Sequence, residues 1–233
     1  RVRSSAASDV YKRQVVAGYE ILDDQGRTPR GVLVYRARQI LVNRVVLLKI
    51  VFGKEDPSQR AWGCLRGEAS ALGKVSHPNV VQIFEVGERE RLLFYNAVEY
   101  VEGVTLSEKV RNKPLTPRQA AAVVETLARA LHAAHEKGLI HRSLKPASVL
   151  VAGKADAPIV DCTLKVTDFG LATRPVEGDV NDLELQGALP YYLSPEQALG
   201  RVRDFGPATD VWALGAILYE MLTGRPPFVA DDW

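Results

Sequence analysis

The chain has 233 residues, 46% of them apolar and 25% charged, which is typical of a soluble globular protein long enough to bury a sizeable core. Its formal net charge of +2 includes +3 from residues 1–14, so the remainder sums to −1 and no basic face for nucleic acid is expected. The chain contains no run of ~18 apolar residues and only two cysteines, which predicts no membrane contact within it and a cytoplasmic location, either alone or as the cytoplasmic domain of a membrane protein.

Residues 1–18 precede the first strand-like pattern. Residues 1–14 have neither the apolar core of a signal peptide nor a clear helical or strand periodicity. We therefore predict that residues 1–18 form a leader outside the fold.

A strand-rich region follows, over residues 19–101. Runs rich in Val, Ile and Leu, separated by Gly and Pro breaks, predict five strands at Tyr19–Leu22, Gly31–Ala37, Gln39–Phe52, Val80–Val86 and Leu92–Tyr100. Apolar residues at spacings of four and three predict one helix over Ala61–Val75, which ends before Pro78 because proline restricts the residue that precedes it. The pattern indicates a small antiparallel β unit with a single helix.

The pattern becomes helical in residues 102–233. Thr116 followed by Pro117 is a capped helix start, and an apolar stripe continues from there towards Gly138. A second long helix is predicted over Asp210–Thr223, with Gly224 at its end. These residues therefore indicate a mainly helical unit.

Several short motifs at consistent spacing carry a family resemblance. They are Leu47-Leu48-Lys49, Glu68, His77-Pro78-Asn79, Glu99-Tyr100-Val101, the loops at 139–151 and 164–170, Ser194-Pro195-Glu196, and residues 210–215. In these motifs the chain resembles protein kinases, and the phrasing around Ser194 is similar to bacterial Ser/Thr kinases. The resemblance implies the two-lobed α+β protein kinase fold, with a small antiparallel β lobe at 19–101 and a mainly α-helical lobe at 102–233. That second lobe is expected to be incomplete, without the arginine that kinases pair with the position of Glu196.

The resemblance also implies that ATP and Mg²⁺ are the cofactors. Lys49 would hold the α- and β-phosphates and Glu68 would orient it, although a surface ion pair is the simpler interpretation of the same two residues. Asp168 would coordinate the metal that bridges the phosphates, because a hard dication prefers carboxylate oxygen. Asp210 would accept hydrogen bonds from the backbone around His141.

The loop that handles the proton departs from the family pattern. Ser143 stands where kinases carry the aspartate that accepts the substrate hydroxyl proton, and a neutral hydroxyl cannot act as a carboxylate base. Ser148 replaces the asparagine that ligates the second metal and is a weaker ligand. Ala188 follows Gly187 where Ser/Thr kinases usually have threonine, so Lys145 alone remains of this cluster.

The glycine-rich loop of the expected nucleotide site is altered as well. It offers Gly26 and Gly31 without the family's middle glycine, and it contains Pro29, which has no amide donor. Leu47 replaces the small alanine above the adenine and is expected to crowd the base.

Four further residues match the adenine site by resemblance. Val34 and Leu150 would lie on the two faces of the base, while Glu99 and Val101 would belong to the hinge that contacts it. The apolar members of this set fit the core of a folded unit equally well.

Three functions agree with these residues. A pseudokinase that regulates or scaffolds a partner kinase, and binds ATP weakly, is favoured by the joint changes at Ser143, Ser148 and Ala188. An active Ser/Thr kinase acting on a protein substrate would rely on Lys145, Asp168 and substrate positioning alone. A binding module with a closed nucleotide site would follow from the altered glycine-rich loop and the bulk of the residue above the adenine.

Overall fold

A computed structural model describes residues 14–28, 31–52, 58–89, 93–111, 113–154, 156–169 and 190–228. The chain forms two compact units, one containing the described residues up to Ala69 together with Gln82–Tyr100, and the other containing Ser70–Val81 together with those from Val101 onward. We call them the β unit and the helical unit. No helix in the described ranges is both long enough and apolar enough to cross a bilayer.

The β unit is an antiparallel sheet with one helix. Its six strands, β1 Val15–Val16, β2 Tyr19–Arg27, β3 Leu33–Gln39, β4 Arg44–Phe52, β5 Ile83–Arg89 and β6 Leu93–Glu99, lie in the order β1-β2-β3-β4-β6-β5, and the helix is α1 Ser58–Leu72. β1 pairs with Tyr19 and Glu20 across a tight turn in which Ala17 and Gly18 have positive φ. The sheet therefore begins inside the predicted leader, because a two-residue strand leaves no periodicity to detect.

Alternating strand residues separate two apolar clusters in the β unit. One cluster, on the sheet face away from α1, comprises Tyr19, Ile21, Tyr35, Ala37, Val46, Leu48, Ile50, Tyr95 and Ala97. The other joins the sheet to α1 and comprises Val32, Val51, Ala61, Leu65 and Phe94. The second cluster fixes the helix on the face to which Lys49 points.

A carboxylate joins the first cluster at its edge. Glu85 accepts hydrogen bonds from the Tyr19 hydroxyl (2.6 Å), the Tyr95 hydroxyl (2.7 Å) and the Gln39 side-chain amide (3.0 Å). The bond from Tyr19 lowers the pKa of Glu85 although burial opposes it, while burial and Glu85 raise the pKa of Tyr95 to about 12. The partly buried carboxylate thus links β5 to three other strands, β2, β3 and β6.

The helical unit contains four α-helices and a small antiparallel sheet within the described residues. In chain order these are β7 Gly103–Thr105, α2 Leu106–Val110, α3 Pro117–His135, β8 Val149–Ala152, β9 Thr163–Val166, α4 Pro195–Ala198 and α5 Pro207–Thr223, with 3-10 turns at Pro146–Ser148, Ile159–Asp161, Pro190–Tyr192 and Val202–Asp204. Both predicted long helices are present. Thr116 caps α3, and α5 ends at Gly224, which adopts the left-handed conformation.

The predicted strand Val80–Val86 is wrong at its start, because residues 79–81 pair elsewhere. Val81 N donates to Val166 O (3.0 Å), Val166 N donates to Asn79 O (2.8 Å), and the Asn79 side chain donates to Leu164 O (2.7 Å). This segment therefore belongs to the helical unit, and β5 starts only at Ile83.

Candidate functional site

Lys49 and Glu68 form a buried ion pair in the β unit. Their Nζ and Oε1 atoms are 2.6 Å apart, and both side chains are 7% exposed. β4 directs Lys49 towards α1, and Glu68 lies on the third turn of that helix. The predicted pair is present, and its burial excludes the alternative of a solvent-exposed surface pair.

Two apolar residues share the sheet face of Lys49. Val34 lies directly across the ladder from Lys49, and Leu47 lies two residues before it. Both are half-buried, whereas Leu48 and Ile50 on the opposite face are completely buried. Val34 and Leu47 therefore have apolar surface that remains accessible, unlike the core residues beside them.

The other predicted adenine-site residues are also half-buried. Glu99 donates its backbone N–H to Gln82 O (2.8 Å) and accepts the Gln82 N–H with its side chain (3.2 Å). In the helical unit, Val101 precedes β7, and Leu150 pairs across strands with Thr105 and Lys165. None of the three is part of a fully buried core.

The glycine-rich loop uses its glycine amides internally. Gly26 and Gly31 have φ of +96° and +86°, a region that favours glycine. Gly26 N donates to the Asp24 carboxylate (2.7 Å), and Gly31 N donates to Thr28 O (2.9 Å). These amides are engaged, and the adjacent carboxylate repels phosphate. Pro29 lies outside the described residues.

Asp210 holds the backbone of the loop at 139–151 in the helical unit. It is 1% exposed and accepts hydrogen bonds from His141 N (2.8 Å) and Arg142 N (2.9 Å), and it contacts His135 Nε2 at 2.7 Å. The predicted role of Asp210 is confirmed. Gln197 fixes the next carbonyl by donating to Arg142 O (2.7 Å). Burial lowers the pKa of Arg142, against the opposing effect of Asp210.

His141 connects this loop to the segment that carries Asp168. Its Nε2 lies 2.8 Å from Thr167 O and therefore donates, which leaves Nδ1 to accept the Ser143 N–H at 3.4 Å. Thr167 N donates in turn to Ser148 O (3.0 Å). Asp168 itself has φ of +67°, an uncommon conformation for a residue other than glycine. Both loops thus keep a defined shape.

Ser148 is closed onto Lys145. The side chain is completely buried. Ser148 Oγ donates its proton to Lys145 O (2.8 Å), and Ser148 Oγ also accepts the Lys145 N–H (3.0 Å). A hydroxyl has one proton, and these two bonds leave only one lone pair facing other groups. Ser143 is half-buried and likewise offers a neutral hydroxyl in place of a carboxylate.

The donor set fits one magnesium ion that arrives with a nucleotide, but not a second. Mg²⁺ usually keeps water and substrate phosphate ligands and needs only one or two carboxylates, and Asp168 would supply one. The enclosed hydroxyl of Ser148 does not replace an amide oxygen as a ligand. The described part of the chain contains no group of three or more His, Cys, Asp or Glu residues arranged for a metal.

Glu196 has a partner other than the arginine of the family. Its carboxylate accepts a hydrogen bond from Thr209 Oγ1 at 2.7 Å. Burial alone would raise the pKa of Glu196, but the bond from Thr209 contributes to a net lowering. The predictions for Gly170, Gly187 and Ala188 concern positions outside the described residues.

Sequence reasoning missed three residues that support these loops and the ion pair. His135 and Gln197 hold the loop through Asp210 and Arg142, and no periodicity marks either of them. Asn96 is completely buried in β6, where its amide donates to Leu65 O (2.8 Å). A lone amide within the apolar run 93–98 was a signal that could have found it.

Comparison with known proteins identifies the family. The protein kinase domain family model matches residues 25–232. Over 203 residues the chain is 35% identical to the serine/threonine-protein kinase PrkC of Bacillus subtilis, covering 85% of this chain and 29% of the relative. It is 36% identical over 208 residues to the serine/threonine-protein kinase PknB of Mycobacterium tuberculosis, covering 85% and 31%.

A probable serine/threonine-protein kinase PknB of Lactococcus lactis is 35% identical over 215 residues, covering 92% of this chain and 33% of the relative. The chain thus spans about a third of the length of these relatives. The sheet with its single helix, the helical unit and the matched motifs together form the α+β protein kinase fold. The chain belongs to the protein kinase family.

Proposed function

We propose that this domain is a pseudokinase, which binds Mg²⁺-ATP weakly and transfers phosphate slowly or not at all. One observation carries the proposal: the residues at the two chemically essential loop positions are Ser143, which is not a base, and Ser148, whose hydroxyl is closed onto Lys145. General base catalysis contributes about 10²- to 10⁴-fold to enzymatic rates, so its loss is expected to reduce turnover by a similar factor.

The residues that would hold the nucleotide support weak binding. Lys49 is already oriented by Glu68 and would attract the phosphates. Asp168 would hold the magnesium ion, which neutralises phosphate charge when it is bound. The amides of Gly26 and Gly31 already donate within their own loop, so they add little to phosphate binding.

We expect this domain to act through binding to a protein partner. Protein kinases act on protein substrates, so we expect a domain of this family without efficient transfer to contact a protein as well. We infer that the domain regulates or scaffolds a partner kinase.

An active Ser/Thr kinase is the second candidate, and a specific observation favours it. The Lys49–Glu68 pair is formed, and Asp210 holds the loop backbone from both His141 and Arg142. A correctly shaped site can still accelerate transfer through positioning and electrostatics alone.

Phosphate transfer from radiolabelled ATP to a generic basic protein decides between the two candidates. We expect at most slow transfer, close to that of Asp168→Ala, which serves as the control for contaminating kinases. Robust turnover that disappears in Asp168→Ala contradicts the pseudokinase proposal. In parallel, Mg²⁺-ATP is expected to raise the melting temperature of the wild type but not of Lys49→Met, since ligand binding stabilises the folded state by mass action.

A further inference from the structure

Asn96 is a buried amide on the sheet face that carries α1. It lies directly across the β4–β6 ladder from Lys49, and cross-strand partners point to the same side of a sheet. Its Nδ2 donates to Leu65 O at 2.8 Å, while its Oδ1 is buried without a hydrogen-bond partner. The side chain as a whole is 0% exposed. The side-chain amide of Asn96 in β6 is thus hydrogen-bonded to the backbone of the helix that carries Glu68.

The orientation of this amide is defined by its partner. Leu65 O is an acceptor, so only Nδ2 can face it, and the reversed amide would place two oxygens against each other. Leu65 and Glu68 are three residues apart, so they lie on one face of α1. The bond from Asn96 therefore sets the position of the helix one turn before the carboxylate that contacts Lys49.

Stability alone does not account for an asparagine here. Leu65 O already accepts a bond from within α1, and an unsatisfied buried acceptor such as Oδ1 is unfavourable. Leucine has nearly the same shape and would remove that penalty. We therefore expect leucine to be at least as stable as asparagine at this position, which leaves the asparagine to be explained by another role.

Two other described contacts of α1, apart from the Lys49–Glu68 pair itself, are less directional. Trp62 packs on Phe94 with ring centroids 5.3 Å apart, and apolar packing tolerates small displacements. Arg66 and Glu88 are linked at 2.9 Å, but their side chains are 56% and 38% exposed, so the pair is weak. Neither of these two contacts defines the position of the helix along its axis.

We propose that Asn96 is a positioning residue, which fixes α1 along its axis so that Glu68 meets Lys49. Asn96 does not touch the proposed nucleotide, and its effect on binding rests on the proposed role of Lys49 in holding phosphates. Its effect on the ion pair does not depend on that role.

Asn96→Leu tests the proposal, with Phe94→Leu as the matched control. Phe94 packs against the same helix from the same strand but donates no side-chain hydrogen bond. Lys49 reactivity is measured by trace acetylation without nucleotide, relative to the exposed Lys137. We expect the Asn96→Leu variant to melt at or above the wild-type temperature while its Lys49 reacts at least about fivefold faster. Phe94→Leu is expected to melt lower with Lys49 reactivity unchanged.

Two results overturn the proposal: Lys49 reacting in Asn96→Leu as it does in the wild type, or reacting equally faster in Phe94→Leu. Mg²⁺-ATP titration is the separate arm. If the wild type binds, we expect the Kd of Asn96→Leu to rise by about fivefold, and an unchanged Kd contradicts the coupling. If the wild type does not bind, the proposed nucleotide function fails, and the acetylation result still decides the role of Asn96.

Discussion

The β unit and the helical unit differ in which groups preserve the features of the kinase family: side chains in the β unit and the backbone in the helical unit. In the β unit the feature is a pair of side chains, Lys49 and Glu68, in direct contact in a buried place. In the helical unit it is a backbone shape, held by Asp210, while the side chains that would react have become serines. The difference shows that a kinase loop can keep its backbone geometry when its side chains differ, because separate groups determine the two.

The largest expected effect on stability comes from removing the carboxylate of Asp210 in the helical unit. We expect Asp210→Ala to lower the free energy of unfolding by about 5 kcal/mol, because two backbone N–H groups and His135 lose a buried acceptor. Urea unfolding measures the change. Asp210→Asn, which keeps one acceptor oxygen, is expected to lose about half as much. A loss below about 1 kcal/mol in Asp210→Ala would mean that other contacts hold the loop.

The corresponding change in the β unit is Glu68→Ala. It removes the carboxylate that contacts the buried Lys49 ammonium, which we expect to lower the free energy of unfolding by about 3 kcal/mol. The double variant Lys49→Met with Glu68→Leu is expected to recover most of that loss, since it removes both charges. Equal losses in the single and double variants would contradict the interpretation of the pair as a buried ion pair.

Ser148→Ala tests whether the loop hydroxyl is structural. Lys145 N would lose its acceptor, so we expect the free energy of unfolding to fall by about 1–2 kcal/mol. Ser143→Ala is the matched control, and its half-buried hydroxyl predicts a change within about 0.5 kcal/mol. If both variants lose the same stability in urea unfolding, Ser148 is not closed onto the backbone as described.

A pH series tests the β unit by itself, through Glu85. Its folded pKa lies below the ordinary value of 4.5, so its contribution is fully present above that pH and is lost as the pH falls through the folded value. We expect Glu85→Gln to be less stable than the wild type by about 1 kcal/mol at neutral pH. The difference should shrink steadily below pH 4.5, and a constant difference across the series would contradict this account.

The smallest expected effect is a gain of activity. Ser143→Asp restores the carboxylate but not the ligand at Ser148, so we expect phosphate transfer to rise less than about tenfold. Ser143→Asn, of similar shape without a charge, is the control. Recovery by about a hundredfold or more would show that one residue accounts for the loss, which favours the active-kinase alternative.

Much of this arrangement could be predicted from local patterns and motifs. The Lys49–Glu68 contact follows from motif spacing, and the capped start of α3 follows from Thr116 and Pro117. Tertiary pairing could not be predicted in the same way. Residues 79–81 have strand-forming side chains, yet their hydrogen bonds go to β9, and no local signal distinguishes one partner strand from another.

Buried polar groups were the other features that sequence patterns did not reveal. Asn96 sits in an apolar run, and its contact with Leu65 depends on how α1 lies on the sheet. The internal bonds of Gly26 and Gly31 likewise depend on the loop conformation, although their positive φ follows from being glycine. Glycines in the sequence indicate where a chain can turn. They do not indicate which backbone amides donate hydrogen bonds within that turn.

The left-handed backbone of Asp168 has a consequence for how this domain can change over generations. An L-residue with a side chain is less stable in that conformation by about 1 kcal/mol or more than glycine would be. The backbone conformation by itself therefore favours glycine at this position. The backbone thus opposes the aspartate, and a use of its carboxylate, such as the proposed magnesium site, would offset that cost in lineages that keep it.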